Sequence, residues 1–253
     1  MIEALRNAWR LSDVRNKLLI TGLIIVIYQF AAHVPVVGVN RTNLETLLDP
    51  ATAGGNFVQV LNLLSGGAVA NFSILAAGVY PYITASIIFQ LLVPIIPRLQ
   101  QIQREPGGQE KITRYTYYAT IPMALLQAFG QITVFNTLLG TGVEIIPGFG
   151  SDALLTASVM ATMTAGTMFA VWLGELITEQ GIGNGISIII FAGIVAIAPT
   201  NLANLISTSL RPVWDIASFV VIMVVSLAAV VLIQEGVRRI PVQYGKRVRG
   251  RKQ

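Results

Sequence analysis

The sequence predicts an all-α protein that crosses a membrane several times, on three observations. Of its 253 residues 54% are hydrophobic and only 11% are charged, with a mean hydropathy of +0.69, whereas soluble domains carry about 25% charge. Six apolar stretches approach or exceed the ~20 residues with which a helix crosses a hydrocarbon core of about 30 Å. The basic residues, finally, concentrate on alternate connecting segments, as they do when successive helices cross in opposite directions. The stretches lack the alternation of barrel strands, and an open sheet leaves its backbone unsatisfied in lipid, so all six are read as helices.

Residues 1–17 form an interfacial segment in which Ile2, Leu5 and Trp9 recur at helical spacing opposite charged residues. Arg6, Arg10, Arg15 and Lys17 then precede the first span, Leu18 to Val37. This resembles the start of a signal peptide, but the apolar run is too long and further spans follow. An outer loop extends to residue 60, and the moderately apolar stretch 61–73 is broken by the pair Gly66-Gly67. The second span covers Ile74 to Ile96; the third, Tyr115 to Leu139, the fourth, Ala153 to Gly174, and the fifth, Ile186 to Ala198, fill most of residues 97–198. The fifth is short and starts nearer Gly181. Residues 199–237 hold a loop and the sixth span, Val213 to Gln234, and residues 238–253 are a basic tail.

With the N-terminus in the cytoplasm, fifteen of the seventeen Lys and Arg fall on cytoplasmic segments and two, Arg41 and Arg211, fall opposite. The positive-inside rule therefore places both ends in the cytoplasm. The segment from Glu175 to Asn184 fits less well, being cytoplasmic by count and free of positive charge.

The apolar stretches hold little chemistry. Asp215 is their one charged residue and lies at the start of the sixth; His33, near the outer end of the first and beside Pro35, reads as an interfacial or packed histidine. Ion-coupled transporters and voltage sensors keep carboxylates, His or Arg deep in the bundle, and no such set is present. With no cysteine and one histidine there is no thiolate site and no two-histidine metal site. Ser187 has no evident base, so catalytic residues, metal and cofactor are expected to be absent.

Three features remain. The stretch Leu61 to Ser73 is too short to cross and reads either as a re-entrant element or as an interfacial helix at the outer surface. In the second span Pro81 favours a break near the start, after which Val79, Ile83, Ile87 and Gln90 share a face. In the fifth, Gly181-Ile182-Gly183-Asn184-Gly185 leads into Ile186 and Ile190, also on one face. Such stripes serve equally as helix packing or as a neck that excludes water. The run of seven positive charges Arg238, Arg239, Lys246, Arg247, Arg249, Arg251 and Lys252, with no acid among them, attracts phosphate on lipid or RNA.

At the level of motifs the sequence closely resembles the SecY family, the channel subunit of the protein-conducting translocon, and its bacterial members especially. The matching segments are Ser65-Gly66-Gly67-Ala68; Pro81-Tyr82-Ile83-Thr84-Ala85-Ser86-Ile87-Ile88 with Gln90-Leu91-Leu92; Gly166-Thr167-Met168 with Trp172-Leu173-Gly174-Glu175; Gly181 through Ser187 running into Phe191-Ala192-Gly193; and Arg238-Arg239-Ile240 with Tyr244-Gly245-Lys246-Arg247. They are distributed over nearly the whole chain.

The resemblance implies the first half of an inverted-repeat translocon channel, in which the conducting path lies between two halves. By motif position it makes Val79, Ile83, Ile186 and Ile190 members of an apolar pore ring. Residues 61–73, including Asn62, Leu64, Ser65, Gly66, Gly67 and Ala68, become a plug, a short helix folding back into the outer funnel. The helix from Ile74 to Leu92 becomes half of a lateral gate, with Thr84, Ile87 and Gln90 lining it.

The implied partners are SecE-type and SecG-type small subunits, signal sequences and nascent chains, anionic lipids, and a ribosome or SecA motor docked on the basic tail. The implied location is a bacterial plasma membrane or a related membrane such as the thylakoid. Family members have ten spans, whereas this chain supplies six and stops inside a loop, so a missing C-terminal half is expected to complete the path. The resemblance thus implies a conduit for unfolded secretory proteins and for lateral insertion of membrane segments. A small-solute channel or carrier subunit, or an inactive structural fragment, are the alternative readings.

Overall fold

A computed structural model describes residues 11–48, 55–140, 142–208 and 212–236. The interfacial residues Ile2, Leu5 and Trp9 and the seven cations of the basic tail lie outside these residues. Among those described, regular structure is wholly helical: α1 (Ser12–Ala31), α2 (Arg41–Leu48), α3 (Gly55–Leu64), α4 (Tyr80–Ile95), α5 (Pro97–Arg104), α6 (Gly108–Leu139), α7 (Ala153–Gln180), α8 (Gly185–Thr208) and α9 (Pro212–Gln234). Among the described residues extended pairing is confined to two isolated bridges, Pro35 with Ser73 and Phe149 with Asp152. The chain divides into two compact units, residues 1–199 and 200–253. In the second, α9 is apolar on nearly every face over 23 residues, the pattern of a helix whose surroundings are apolar all round.

Among the described residues five helices are long and apolar enough to cross a membrane, Ser12–Ala31, Gly108–Leu139, Ala153–Gln180, Gly185–Ala203 and Ile216–Gln234, and the bent pair Tyr80–Ile95 and Pro97–Arg104 makes a sixth if it counts as one span. Helix boundaries overrun most of the apolar stretches, because the hydrogen-bond ladder of a helix continues through flanking polar turns. The stretch expected to be the short fifth span is the clearest case, since α8 carries on through Pro199 to Thr208. The first span is displaced the other way. Its helix ends at Ala31, and residues 32–37, with Pro35 among them, turn back toward the bundle.

The second span departs most from expectation. Its helix starts at Tyr80 rather than Ile74 and has 16 residues, a length of about 24 Å at 1.5 Å per residue. Residues 74–79 are turns instead, because Phe72 (φ 41°) and Gly78 (φ 56°) hold left-handed backbone conformations that a helix cannot include. Their polar groups are nevertheless paired. The Ile74 N–H donates to the Val34 carbonyl (3.0 Å), that of Ala76 to Ser73 (2.9 Å) and that of Gly78 to Leu75 (2.8 Å). Irregular backbone at membrane depth survives only when enclosed by protein, and Leu75, Ala76, Ala77 and Val79 are all buried. At the far end Pro97 forces Ile96 into extended backbone (ψ 111°), and the chain bends by 99° into the short α5.

Among the described residues of the first unit, two apolar clusters form the core. One gathers Val69, Phe72, Ile132, Phe135, Ile145, Ile146 and Met163. The other gathers Ile24, Tyr28, Ala68, Leu75, Val79, Leu173, Ile177 and Ile189. Segment 65–79 contributes to both, so the irregular stretch is a keystone of the packing rather than a loop over it. α4 packs on α6, α6 on α7 and α7 on α1. The Leu154 and Leu155 N–H groups cap α7 by donating to Asp152 Oδ1 (2.9 and 3.3 Å).

The turns at 74–79 press so closely on α7 that a Cβ on Gly166 would overlap the Ile74 carbonyl oxygen. Gly166→Ala therefore has no relaxed solution and is expected to lower stability by about 1–3 kcal/mol, the usual cost of overpacking. Gly130→Ala, in open space on α6, gains helix propensity and is expected to be neutral or mildly stabilising. Thermal melting of both variants in the same detergent measures the contrast.

Candidate functional site

The start of α4 and the start of α8 bring the two apolar stripes together. Val79 forms the N-cap of α4, Ile83 follows one turn later, and Ile186 and Ile190 stand one turn apart on α8. Val79 is 5% exposed and belongs to the second apolar cluster, while Ile83, Ile186 and Ile190 pack against that cluster half-buried. Val79, Ile83 and Ile190 line one cavity of about 130 Å³ together with Ser65, Gln131 and Gly193. Ile186 is not among its lining residues. It sits instead over α7, where a Cβ on Gly174 would come within 2.9 Å of Ile186 Cγ1.

The segment expected to be a plug stands at the same cavity, with its helix in a different place. The helical part is α3, which precedes most of residues 61–73 and has Leu64 as its last residue; residues 65–73 are a hydrogen-bonded turn structure. The cause is the Gly66-Gly67 pair, at φ 68° and 89°, which reverses the chain directly after α3. Asn62 organises that reversal. Its carbonyl accepts from the Gly67 N–H (3.0 Å) and from Ser65 Oγ (3.1 Å), and its Oδ1 accepts from the Ala70 N–H (2.7 Å). Ser65 Oγ in turn accepts from the Val69 N–H (3.1 Å). Ala68 and Val69 are fully enclosed.

Thr84, Ile87 and Gln90 lie along α4 beyond the cavity. Thr84 Oγ1 donates to the Tyr80 carbonyl (3.1 Å), and Gln90 Nε2 donates to Ser86 Oγ (3.2 Å). Ile87 is 51% exposed, so the stripe that begins buried at Val79 emerges onto an uncovered face two turns later. The opposite side of α4 is fastened: Tyr82 stacks on Tyr117 of α6 with ring centroids 5.5 Å apart, and the Tyr117 hydroxyl donates to Glu175 of α7. One end of α4 is thereby tied to α6, which is itself tied to α7, while its Ile87 face is exposed.

The sequence stripes do not include Tyr28, Gln127, Gln131 and Gly193, which also line the cavity. Gln127 and Gln131 carry a legible signal, two amides at i, i+4 inside an apolar stretch. Gln131 is 8% exposed; its Nε2 donates to the Ala76 carbonyl at 3.5 Å, and among the described residues its Oε1 has no partner. His33, at the end of the first span, is exposed and has Nδ1 2.8 Å from the Gln29 carbonyl. Among the described residues no group of three or more His, Asp or Glu is placed to hold a metal ion.

An all-helical bundle with several helices long and apolar enough to cross a membrane, in which a short reversed segment borders a largely apolar cavity beside the exposed face of α4, is the class this geometry defines. The chain belongs to the SecY family, whose model matches residues 73–253. It is 40% identical to the protein translocase subunit SecY of Streptomyces galbus over 260 residues, covering 100% of this chain and 59% of that protein. Its identity to the same subunit of Corynebacterium glutamicum is also 40%, over 100% of this chain and 58% of that protein. The chain thus spans about three fifths of the length of the curated relatives it matches.

Two solved structures are similar as well. One, described as the structure of a protein conducting channel, matches with a TM-score of 0.46 and 21% identity, over 82% of this chain and 41% of that one. The other, Sec61 in the canine ribosome-channel complex from the endoplasmic reticulum, matches with a TM-score of 0.49 and 18% identity, over 93% of this chain and 51% of that one.

Proposed function

We propose that this chain forms the N-terminal part of a protein-conducting channel, through which unfolded secretory proteins thread and from which apolar segments leave sideways into lipid. The observation that carries this reading is the convergence of Val79, Ile83 and Ile190 on a single cavity beside Ser65. Apolar side chains at a constriction disfavour water there at rest. Ile186, one turn before Ile190 on α8, is by motif position the fourth member of the ring in this reading. Residues 61–73 cover the ring, and Thr84, Ile87 and Gln90 form this chain's side of the lateral gate. The uncovered Ile87 face gives a signal helix, or the facing half of the gate, apolar surface to pack against.

The channel is a conduit and performs no catalytic step. Its driving force comes from a ribosome or SecA motor docked on Arg238, Arg239, Lys246, Arg247, Arg249, Arg251 and Lys252, whose charge suits a polyanion. Both termini lie in the cytoplasm, and SecE-type and SecG-type subunits, anionic lipids and a C-terminal half complete the assembly in a bacterial plasma membrane or a thylakoid-like one. Copurification from native membranes at low salt, with mild crosslinking, tests this. Recovery of a chain carrying the remaining helices, with small subunits and a ribosome or SecA, is the expected result. Recovery of the chain alone contradicts it.

A further inference from the structure

We propose that Gly193 is the seat on which segment 65–73 docks, and that a backbone-on-backbone contact between Gly193 and Gly66 sets how tightly that segment covers the cavity. The inference rests on the channel reading and deepens it by naming the residue that positions the cover. A Cβ on Gly66 would lie 2.7 Å from Gly193 Cα, and a Cβ on Gly193 would lie 2.9 Å from Gly66 Cα and 3.4 Å from its nitrogen. Both clashes are with main chain, which has no side-chain end to rotate away, so any side chain at either position separates the two segments.

The seat continues along one stripe of α8. Ile190, on the cavity wall, precedes Gly193 by three residues and Ile197 follows it by four, so the three share a face. Ile197 Cδ1 would lie 3.5 Å from a Cβ on Gly67. α8 therefore offers an isoleucine, a bare backbone and a second isoleucine to Ser65-Gly66-Gly67. The docking partner is preformed, because the bonds among Asn62, Ser65, Val69 and Ala70 hold the reversal together internally. Such a unit leaves its seat as a body, and the contact it gives up carries no hydrogen bond between Gly66 and Gly193 that would have to be broken.

The protein contains no cysteine, so one thiol reports on this contact without background. Ala77→Cys places it at the cavity, where the native residue is 5% exposed and has no polar side chain to lose. The full chain is expressed with its natural partners in its own membrane, and the rate of reaction with a water-soluble maleimide is measured. In the Gly193→Ala background the rate is expected to rise about tenfold, as the docked population falls; in Gly130→Ala, where a Cβ meets nothing within 4 Å, it is expected to stay unchanged. Helical circular dichroism of the purified variants is expected to match the parent. An unchanged rate in Gly193→Ala, an equal rise in Gly130→Ala, or loss of the helical signal in Gly193→Ala each overturns the proposal, the last by making the contact one of folding. Ion leak is recorded in parallel. Faster labelling without leak supports the seat and counts against the channel reading, so the two fail separately.

Discussion

Replacing Ile83 with Asn is expected to make the assembled channel leak ions at rest. Ile83 reaches the cavity beside Val79 and Ile190, and exchanging its side chain for a carboxamide removes apolar surface while adding a group that holds water. The two changes together shift the balance between dry and wetted constriction by about 3 kcal/mol, roughly two powers of ten in the wetted population. Ile190→Asn is expected to act in the same direction. Leu154→Asn, on the first turn of α7 and 82% exposed, makes a matching polarity change away from the cavity and is expected to leave resting conductance at its parental value. Conductance of the purified assembly in planar bilayers reads all three. A dry, silent Ile83→Asn channel would mean that the stripe is packing and nothing more.

The second large effect concerns stability. Phe72 is fully buried, holds φ 41°, and meets Phe135 edge-on with ring centroids 6.1 Å apart. Its carbonyl accepts from the Val36 N–H (3.0 Å) and its own N–H donates to Val69 (3.0 Å), so the ring is pinned at the point where segment 65–79 joins the first apolar cluster. Phe72→Ala leaves a void the pinned backbone cannot close and relieves none of the left-handed strain; the expected loss is about 3–5 kcal/mol. That is a large part of a total stability of about 5–15 kcal/mol. Phe191→Ala on α8, where the ring is 67% exposed, is expected to stay within about 0.5 kcal/mol of the parent. Denaturant titration in mixed micelles measures the difference.

These two residues also mark what can be read from the sequence. The apolar stretches announce the crossing helices, because hydropathy reports the solvent a segment needs, and solvent is what makes a span. It does not report backbone conformation. Ile74 to Val79 read as the start of a helix because they are apolar, yet the left-handed residues Phe72 and Gly78 keep them irregular and the cores on either side keep them buried. Residues 61–73 show the same limit: their glycine pair announces a break, but the helix lies before it, in α3, and not across the whole stretch.

The site was legible in its stripes and less so in its contacts. Helical spacing puts Val79 with Ile83 and Ile186 with Ile190, and motif resemblance joins the pairs, but a period of 3.6 cannot foretell that Gly174 opens a seat that draws Ile186 toward α7. Gly193 stands in a quoted motif and has no side chain to suggest a role. Its meaning comes entirely from what approaches it.

Trapping a secretory chain in transit tests the central claim most directly. The absence of native cysteine allows single thiols at Ile83, Ile190 and Leu154 to be crosslinked, in the membrane-embedded assembly, to a precursor halted midway and carrying one cysteine in its translocating stretch. The account predicts adducts from Ile83 and Ile190, their yield following the cysteine as it is moved along the precursor, and none from Leu154. Precursor captured equally from all three positions, or from none while export proceeds, would contradict it.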